Sequence, residues 1–356
     1  MKPAIVDLAE RIQTDIQARK LKPGDPYFTT SETARSFQVS GTTANRALQL
    51  LTQRRVLVRK QRAGTFIAEP GKKQSYGLKC VHLVVHQKFL EREGLLADGI
   101  VIGIQREMPD AELQFNFLPH REEEVYVQEI VNRALKSSEP EGFVLQRAQV
   151  GVQRILEESG LPTVVNGLLQ PSISGLAQID RDQEQIGRLL IQELLRKKCT
   201  RILIVLRDQV TAGDHQLLDV IQRELTAAGF GLDQLCIRCL PADDRAIQAA
   251  ALEVLQQSTD KLGVLCRSEP AARAIGECVF GEPLPKSRRP VLVVADRFAR
   301  DQSDCPFPYI RACLSPVAYG QEIGRMLMRQ VNGEDALSME TRVEVELVQP
   351  IKATPS

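Results

Sequence analysis

The chain has no tryptophan, and aromatic residues fill only 4% of its 356 positions. Recognition of nucleic acid by stacking bases on aromatic platforms therefore has little to work with. Histidine is scarce too. His82, His86, His120 and His215 are scattered, so no histidine-rich metal cluster is expected. No apolar run approaches the roughly 18 residues that a membrane helix needs. Lys2, Asp7 and Glu10 interrupt the N-terminus too early for the core of a secretory signal. These absences predict a cytoplasmic protein with no membrane partner. Enzyme signatures are missing as well: there is no Gly-x-Ser-x-Gly turn and no Gly-x-Gly-x-x-Gly loop. Gly64 and Gly71-Lys72 are separated by six residues, where a phosphate-cradling loop needs four. An α/β enzyme with a carboxylate pair hidden in the fold is thus the least supported reading, and no catalytic residue is nominated.

Eight cysteines are present, but a long chain without an export signal favours reduced thiols. Cys236-Ile237-Arg238-Cys239 has a C-x-x-C spacing without the second ligand pair of a zinc site. It reads as a strand with alternating faces. No metal and no cofactor are expected.

What the chain does have is an uneven distribution of charge. Residues 1–76 carry 14 Lys or Arg against 6 Asp or Glu, while the remainder carries 32 against 39. A basic head on a mildly acidic body suits a head that meets a polyanion. Within it, Ile5, Leu8, Ala9, Ile12 and Ile16 recur at helical spacing over residues 4–19. Lys22-Pro23-Gly24-Asp25-Pro26 breaks that helix. Thr29, Thr30 and Ser31 offer capping hydroxyls with Glu32 close behind, for a short second helix to Phe37. Val39-Ser40-Gly41 turns the chain, and Ser40 can cap a third helix from about Thr42 to Arg54, with Ala44, Ala47, Leu48 and Leu51 on its apolar stripe. The period then changes to that of strands at Val56–Arg59 and Thr65–Ala68, with Arg62-Ala63-Gly64 at the tip between them.

Three helices and a β-hairpin make a winged helix-turn-helix. Its third helix enters the major groove by its N-terminal residues. Ser40, Thr42 and Thr43 can then bind phosphate or bases, Asn45 can pair with adenine, and Arg46 can reach guanine or phosphate. Thr29, Thr30, Ser31, Arg62 and Gly64 complete the expected DNA-binding set.

The stretch from Leu21 to Ala68 resembles the gluconate-repressor (GntR) family of regulators. The Lys-Pro-Gly-Asp turn, the Val-Ser-x-Thr-Thr-x-x-Arg-Ala-Leu segment (Val39 to Leu48) and the Gly-Thr-Phe-Ile-Ala end of the wing occur in order and at the right distances. Three positions depart from the family's habit of arginine: Gly41 after the capping serine, Asn45 on the third helix and Ser31 on the second. Fewer charged contacts and a different operator follow.

Glu69 to Gly77 is polar and contains Pro and Gly, as an interdomain linker does. The expected organisation is a DNA-binding domain at 1–70, a linker at 71–79 and an effector and dimerisation domain at 80–356. In the body, strand patterns at Val81–Val85, Leu113–Phe117, Gly142–Leu145, Thr163–Val165, Arg201–Leu206, Leu235–Leu240, Gly263–Cys266 and Val291–Ala295 alternate with helical ones. The helices are expected at Val125–Ala134, Gln183–Leu195, Leu217–Ala228, Arg245–Gln256 and Pro270–Val279. Such alternation implies an α/β body of parallel sheets with helices on both faces. Its length suits two lobes with a cleft, and ligands of open α/β sheets bind at the carboxyl ends of strands.

This region resembles the effector domain of the lactose/galactose-repressor (LacI/GalR) family, itself similar to periplasmic binding proteins. Leu161 to Leu206, Gly263 to Glu269, Val291 to Asp296, and Leu314-Ser315-Pro316 with Gly320 carry the resemblance. It implies a small-molecule effector, possibly a carbohydrate, held between the lobes. His86, Gln146, Asn166, Asp214, His215, Ser268, Glu269 and Asp296 are the candidate contacts. The family's sugar-binding arginine aligns with Leu217, and Ser268-Glu269 replaces an Asn-Asp pair.

Head and body together resemble the arabinose-repressor type of fusion. That implies a homodimeric, sequence-specific transcription regulator, most simply a repressor, with a double-stranded DNA operator as partner. The alternative is a regulator whose body only dimerises or binds a protein.

Overall fold

The computed structural model describes residues 4–54, 56–60, 64–68, 77–86, 98–119, 121–137, 139–146, 148–257, 261–281, 289–297 and 305–350. These divide into two compact units. The first gathers residues numbered up to 88, 98–179 and 316–341, and the second 180–315 and the residues after 341, with 89–97 outside the described set.

The head belongs to the first unit. Helix α1 (Ala4–Ala18) buries Leu8, Ala9, Ile12 and Ile16. Strand β1 (Pro26–Tyr27) follows, then α2 (Thr30–Phe37), α3 (Gly41–Gln53), β2 (Leu57–Lys60) and β3 (Gly64–Ile67). Thr29 closes a capping box with Glu32, and Ser40 caps α3 by accepting from Thr43 N at 3.1 Å. These caps fix both helix starts, and of the three hydroxyls offered before α2 it is Thr29 that caps it.

Strand β1 lies in what the sequence reads only as a breaker. Gly24 (φ +88°) makes the turn there and donates to Ile67 O, which lays Pro26 and Tyr27 antiparallel to β3. The wing is therefore three-stranded, in the order β1-β3-β2.

The first body sheet has the order β14-β8-β7-β6-β4-β5. Its strands are β4 (Cys80–His86), β5 (Glu112–Leu118), β6 (Glu141–Gln146), β7 (Thr163–Asn166), β8 (Ala177–Arg181) and β14 (Glu340–Val343). The pairings from β5 through β8 are parallel. Helices α4 (Asp98–Glu107), α5 (Glu123–Lys136), α6 (Val150–Ser159) and α11 (Pro316–Val331) cover it. Phe143, Leu145, Val84 and Leu118 bury against Val127, Ile130 and Val152 of α5 and α6.

Helices α4 and α11 approach closely. A side chain at Gly103 would overlap Val317 O, and one at Gly320 would overlap Ile100 O.

The second unit repeats the architecture. Its sheet runs β10-β9-β11-β12-β13-β15. The strands are β9 (Arg201–Arg207), β10 (Leu235–Leu240), β11 (Leu262–Ser268), β12 (Val291–Asp296), β13 (Tyr309–Ala312) and β15 (Val345–Val348), the last antiparallel to β13. Helices α7 (Gln183–Arg196) and α8 (Ala212–Ala227) pack on one face, α9 (Asp244–Gln256) and α10 (Glu269–Gly281) on the other.

Strands β8, β13, β14 and β15 and helices α4, α6 and α11 stand outside the sequence reading. The strands are short and half polar. Helix α11 starts on Pro316, at the first position where a helix tolerates proline, inside a segment read only for its family resemblance. Helix α8 begins five residues earlier than expected, because Thr211 and Asp214 form a capping box around a polar first turn.

Head and sheet are joined within the first unit. Val6 of α1 and Leu50 of α3 sit over Gly160, which terminates α6 with φ +68°; a side chain there would come within 2.7 Å of Leu50 Cδ2. Arg54 Nη2 donates to Gly160 O at 3.5 Å. Burial lowers the Arg54 pKa from its ordinary value, while Glu10 and Asp335 counteract.

Candidate nucleic-acid interface and ligand site

The start of α3 is open. Ser40, Gly41 and Thr42 are exposed, and Thr43, Asn45 and Arg46 are half-buried on the same first two turns. Ser40 Oγ lies 2.8 Å from Thr43 Oγ1. Both hydroxyls therefore do structural work at the helix start, and the outward amides of that first turn face solvent. A helix N-terminus presents unpaired N–H groups and positive dipole charge, which suits phosphate. A side chain at Gly41 would meet nothing within 4 Å.

On α2, Thr29 is committed to its capping box, with its hydroxyl 2.8 Å from Glu32 Oε2. The hydrogen bonds from Thr29 keep the Glu32 carboxyl below its ordinary range. Thr30 is half-buried and Ser31 exposed beside it. Gly64 opens β3 with φ +111°, a backbone state that favours glycine. Arg62 lies outside the described residues.

In the first unit, His86, Gln146 and Asn166 stand at the carboxyl ends of β4, β6 and β7. The structure gives two of them partners: His86 Nε2 is 2.9 Å from Glu123 Oε1, and Asn166 Oδ1 accepts from Tyr319 Oη at 2.9 Å. Gln146 differs. It is buried, and its Oε1 has no hydrogen-bond partner. A buried unpaired carbonyl is costly unless something donates to it.

In the second unit, the strand ends converge on an ionic cluster. Asp296, at the end of β12, is wholly buried and faces three guanidinium groups. Arg207 Nη2 lies 2.8 Å from its Oδ2, Arg267 Nη1 lies 3.4 Å from its Oδ1, and Arg181 Nη2 pairs with the same Oδ1. Arg267 Nε also donates to Asp214 at 2.6 Å. Asp180 accepts from Gln183 Nε2 at 2.8 Å, and Gln183 Oε1 is buried without a partner.

Burial works against charge throughout this cluster. It raises the Asp180 carboxyl despite Arg181. Burial pushes Asp214 the same way, but Arg267 and the Thr211 amide prevail and hold it below its ordinary value. Burial disfavours the Arg267 cation too, but Asp296, Asp214 and Asp180 overcome it and raise its pKa.

Of the acidic residues singled out in the sequence, Asp214 and Asp296 come together here. His215 follows Asp214 on α8 and is exposed. Glu269 turns away, paired with Arg273 at 2.6 Å and Arg297 at 3.2 Å, and Ser268 ends β11 in register with Asp296. Sequence reasoning missed Arg181, Arg207 and Arg267. Each is the last or next-to-last residue of its strand, a position that could have nominated it. Leu217 is buried in the core and supplies no polar contact. The cations of this cluster come from β8, β9 and β11 instead.

Comparison with known proteins agrees with this geometry. Residues 5–67 match the family of bacterial regulatory proteins, gntR family. No curated protein matches the chain by sequence. Solved structures share its fold. A transcriptional regulator CelR in complex with cellobiose is 18% identical, with a TM-score of 0.63 over 89% of this chain and 94% of its own. A LacI family regulator from Enterococcus faecium with bound ribose is 15% identical, with a TM-score of 0.60 over 77% and 99%. The transcription regulator CcpA of Lactococcus lactis is 12% identical, with a TM-score of 0.62 over 76% and 98%. The chain therefore joins a gntR-family head to a body with the LacI-type regulator fold, and it is a DNA-binding transcription regulator. Among the described residues, no helix is long and apolar enough to cross a membrane.

Proposed function

We propose that the chain is a cytoplasmic, homodimeric repressor that binds a paired operator through α3 and the wing and responds to a small polyhydroxylated effector at the strand ends of its body. It acts by binding and carries no catalysis. The observation that carries the DNA half is the match over residues 5–67 together with the open N-terminus of α3. Two heads on a twofold dimer would read two half-sites.

The effector half rests on Gln146 Oε1, a buried acceptor that a ligand hydroxyl would satisfy, and on the fold shared with sugar-bound regulators. A ligand shifts operator affinity only by binding one conformation better than another.

Selection from a pool of random duplex DNA at two salt concentrations tests the first half. A symmetric motif with affinity falling steeply in salt is expected, because phosphate contacts release counterions. Weak binding without a motif at either salt overturns it. Thermal-shift screening of monosaccharides and disaccharides, repeated on Gln146→Ala, tests the second.

A body that only dimerises or binds a protein is the second reading. It is favoured by the mutual neutralisation of Asp296 and Asp214 by three arginines. It predicts no thermal shift with any sugar.

A further inference from the structure

At the amino ends of the first body sheet, opposite the strand ends considered above, three ligand-type side chains converge. Cys80 and His82 lie two residues apart on β4, so they share one face of the sheet. Glu141 opens β6 in register with Cys80. Cys80 Sγ is 3.8 Å from His82 Nε2, which is 2.7 Å from Glu141 Oε2, and all three ligand atoms lie within 4.8 Å of one another.

From these contacts we infer that Cys80, His82 and Glu141 form a binding site for a zinc-class divalent cation, with water as the fourth ligand. Tetrahedral zinc with bonds of about 2.3 Å to sulfur and about 2.0–2.1 Å to nitrogen and oxygen places its ligands about 3.3–3.6 Å apart. The sulfur–nitrogen and nitrogen–oxygen separations of 3.8 and 2.7 Å lie within about 0.7 Å of that spacing. Sulfur, imidazole and carboxylate together suit a borderline-soft ion such as zinc better than magnesium or calcium.

The surroundings are also those of a cation site. Glu112 stands across from Cys80 on β5. Among the described residues, neither Glu112 nor Glu141 forms an ion pair with Lys or Arg. His82 is buried and stacks on Phe143 at 4.7 Å, which restrains the ring. Asn116 Nδ2 lies 3.2 Å from His82 Nδ1 on the side away from Glu141. With Nε2 on the metal, the ring proton resides on Nδ1, and Asn116 turns its amide oxygen to accept it. Asn116 is thus a positioning residue, as partners of metal-bound histidines commonly are. Cys80 and Glu141 are only partly buried, which leaves solvent access for ion and water. Binding replaces the Cys80 thiol proton, which passes to solvent.

The full-length chain is tested with Co²⁺, then Zn²⁺, after treatment with chelator and reductant. A background with Cys236, Cys239, Cys278 and Cys313 changed to Ser removes the other thiols that are not buried. One Co²⁺ per chain with a thiolate-to-cobalt charge-transfer band in the near ultraviolet is expected, and one equivalent of Zn²⁺ should bleach it. Cys80→Ser should abolish the band while circular dichroism stays that of the parent. Asn116→Ala should weaken Zn²⁺ binding by about 10–100-fold, and Asn116→Asp should restore it. A parent chain that binds no ion at one per chain overturns the proposal without any variant, as does a band that survives Cys80→Ser.

Discussion

Asp296 shows how one buried side chain governs its neighbours. Its two oxygens face Arg181, Arg207 and Arg267, and it is wholly buried. Removing one member of a buried ionic group leaves the others uncompensated, which costs about 3–5 kcal/mol. Asp296→Ala should lower unfolding stability by that order in urea titration. Unchanged stability would mean that water reaches the arginines. Asp214 adds a pH signature. Its folded pKa is depressed, so its stabilisation is present above the ordinary carboxylate value of about 4 and is lost as pH falls through the lower folded value. Asp214→Asn should be less stable at neutral pH, with the gap to the parent closing in acid below about pH 4, as followed by tryptophan-free probes such as far-ultraviolet circular dichroism. On the head, Gly41→Arg fits without collision. It should steepen the salt dependence of DNA binding by about one phosphate contact. Asn45→Ala should relax the preference at one base position, at a cost of about 1–3 kcal/mol.

At the scale of elements, most of the long regular segments were legible and the short or polar ones were not; the exception is α11, 16 residues long, whose start on Pro316 reads as a break. The helices of the head and the central strands of both sheets announce themselves by period, because each buries a repeating apolar stripe. Strand β10 falls on its expected limits, Leu235 to Leu240. Strand β8 does not, since Gln178, Asp180 and Arg181 leave it few apolar positions. The site followed the same division. The acidic residues Asp214 and Asp296 were visible through the family resemblance, whereas their arginine partners were not, because pairing across β8, β9 and β11 is a tertiary fact. Helices α4 and α11 make a further prediction at this scale. Gly103→Ala pushes a methyl group into the backbone of α11. Overpacking of this kind costs about 1–3 kcal/mol, to be read as a lower melting temperature, with Gly99 and Gly320 behaving alike.

At the scale of the whole molecule, the head is not an independent bead on a string. Its α1 and α3 meet the end of α6 at Gly160. Gly160→Ala sets a side chain against Leu50 in a left-handed backbone state that costs about 1–2 kcal/mol for other residues. Calorimetry of the full chain should then resolve an earlier transition for the head. If the parent and the variant unfold alike, the seam contributes little to stability. The chain's route through the two units matters as well. The first unit contains α11 and the residues up to 341, which are encoded after the whole of the 180–315 segment. On the ribosome, then, the first unit waits. Its sheet and α4 emerge early with an apolar face uncovered, and the helix that covers them arrives only after residues 180–315 of the second unit have been synthesised. Neither unit is complete until the chain is nearly finished, so the interval before α11 emerges is when this protein depends most on chaperones.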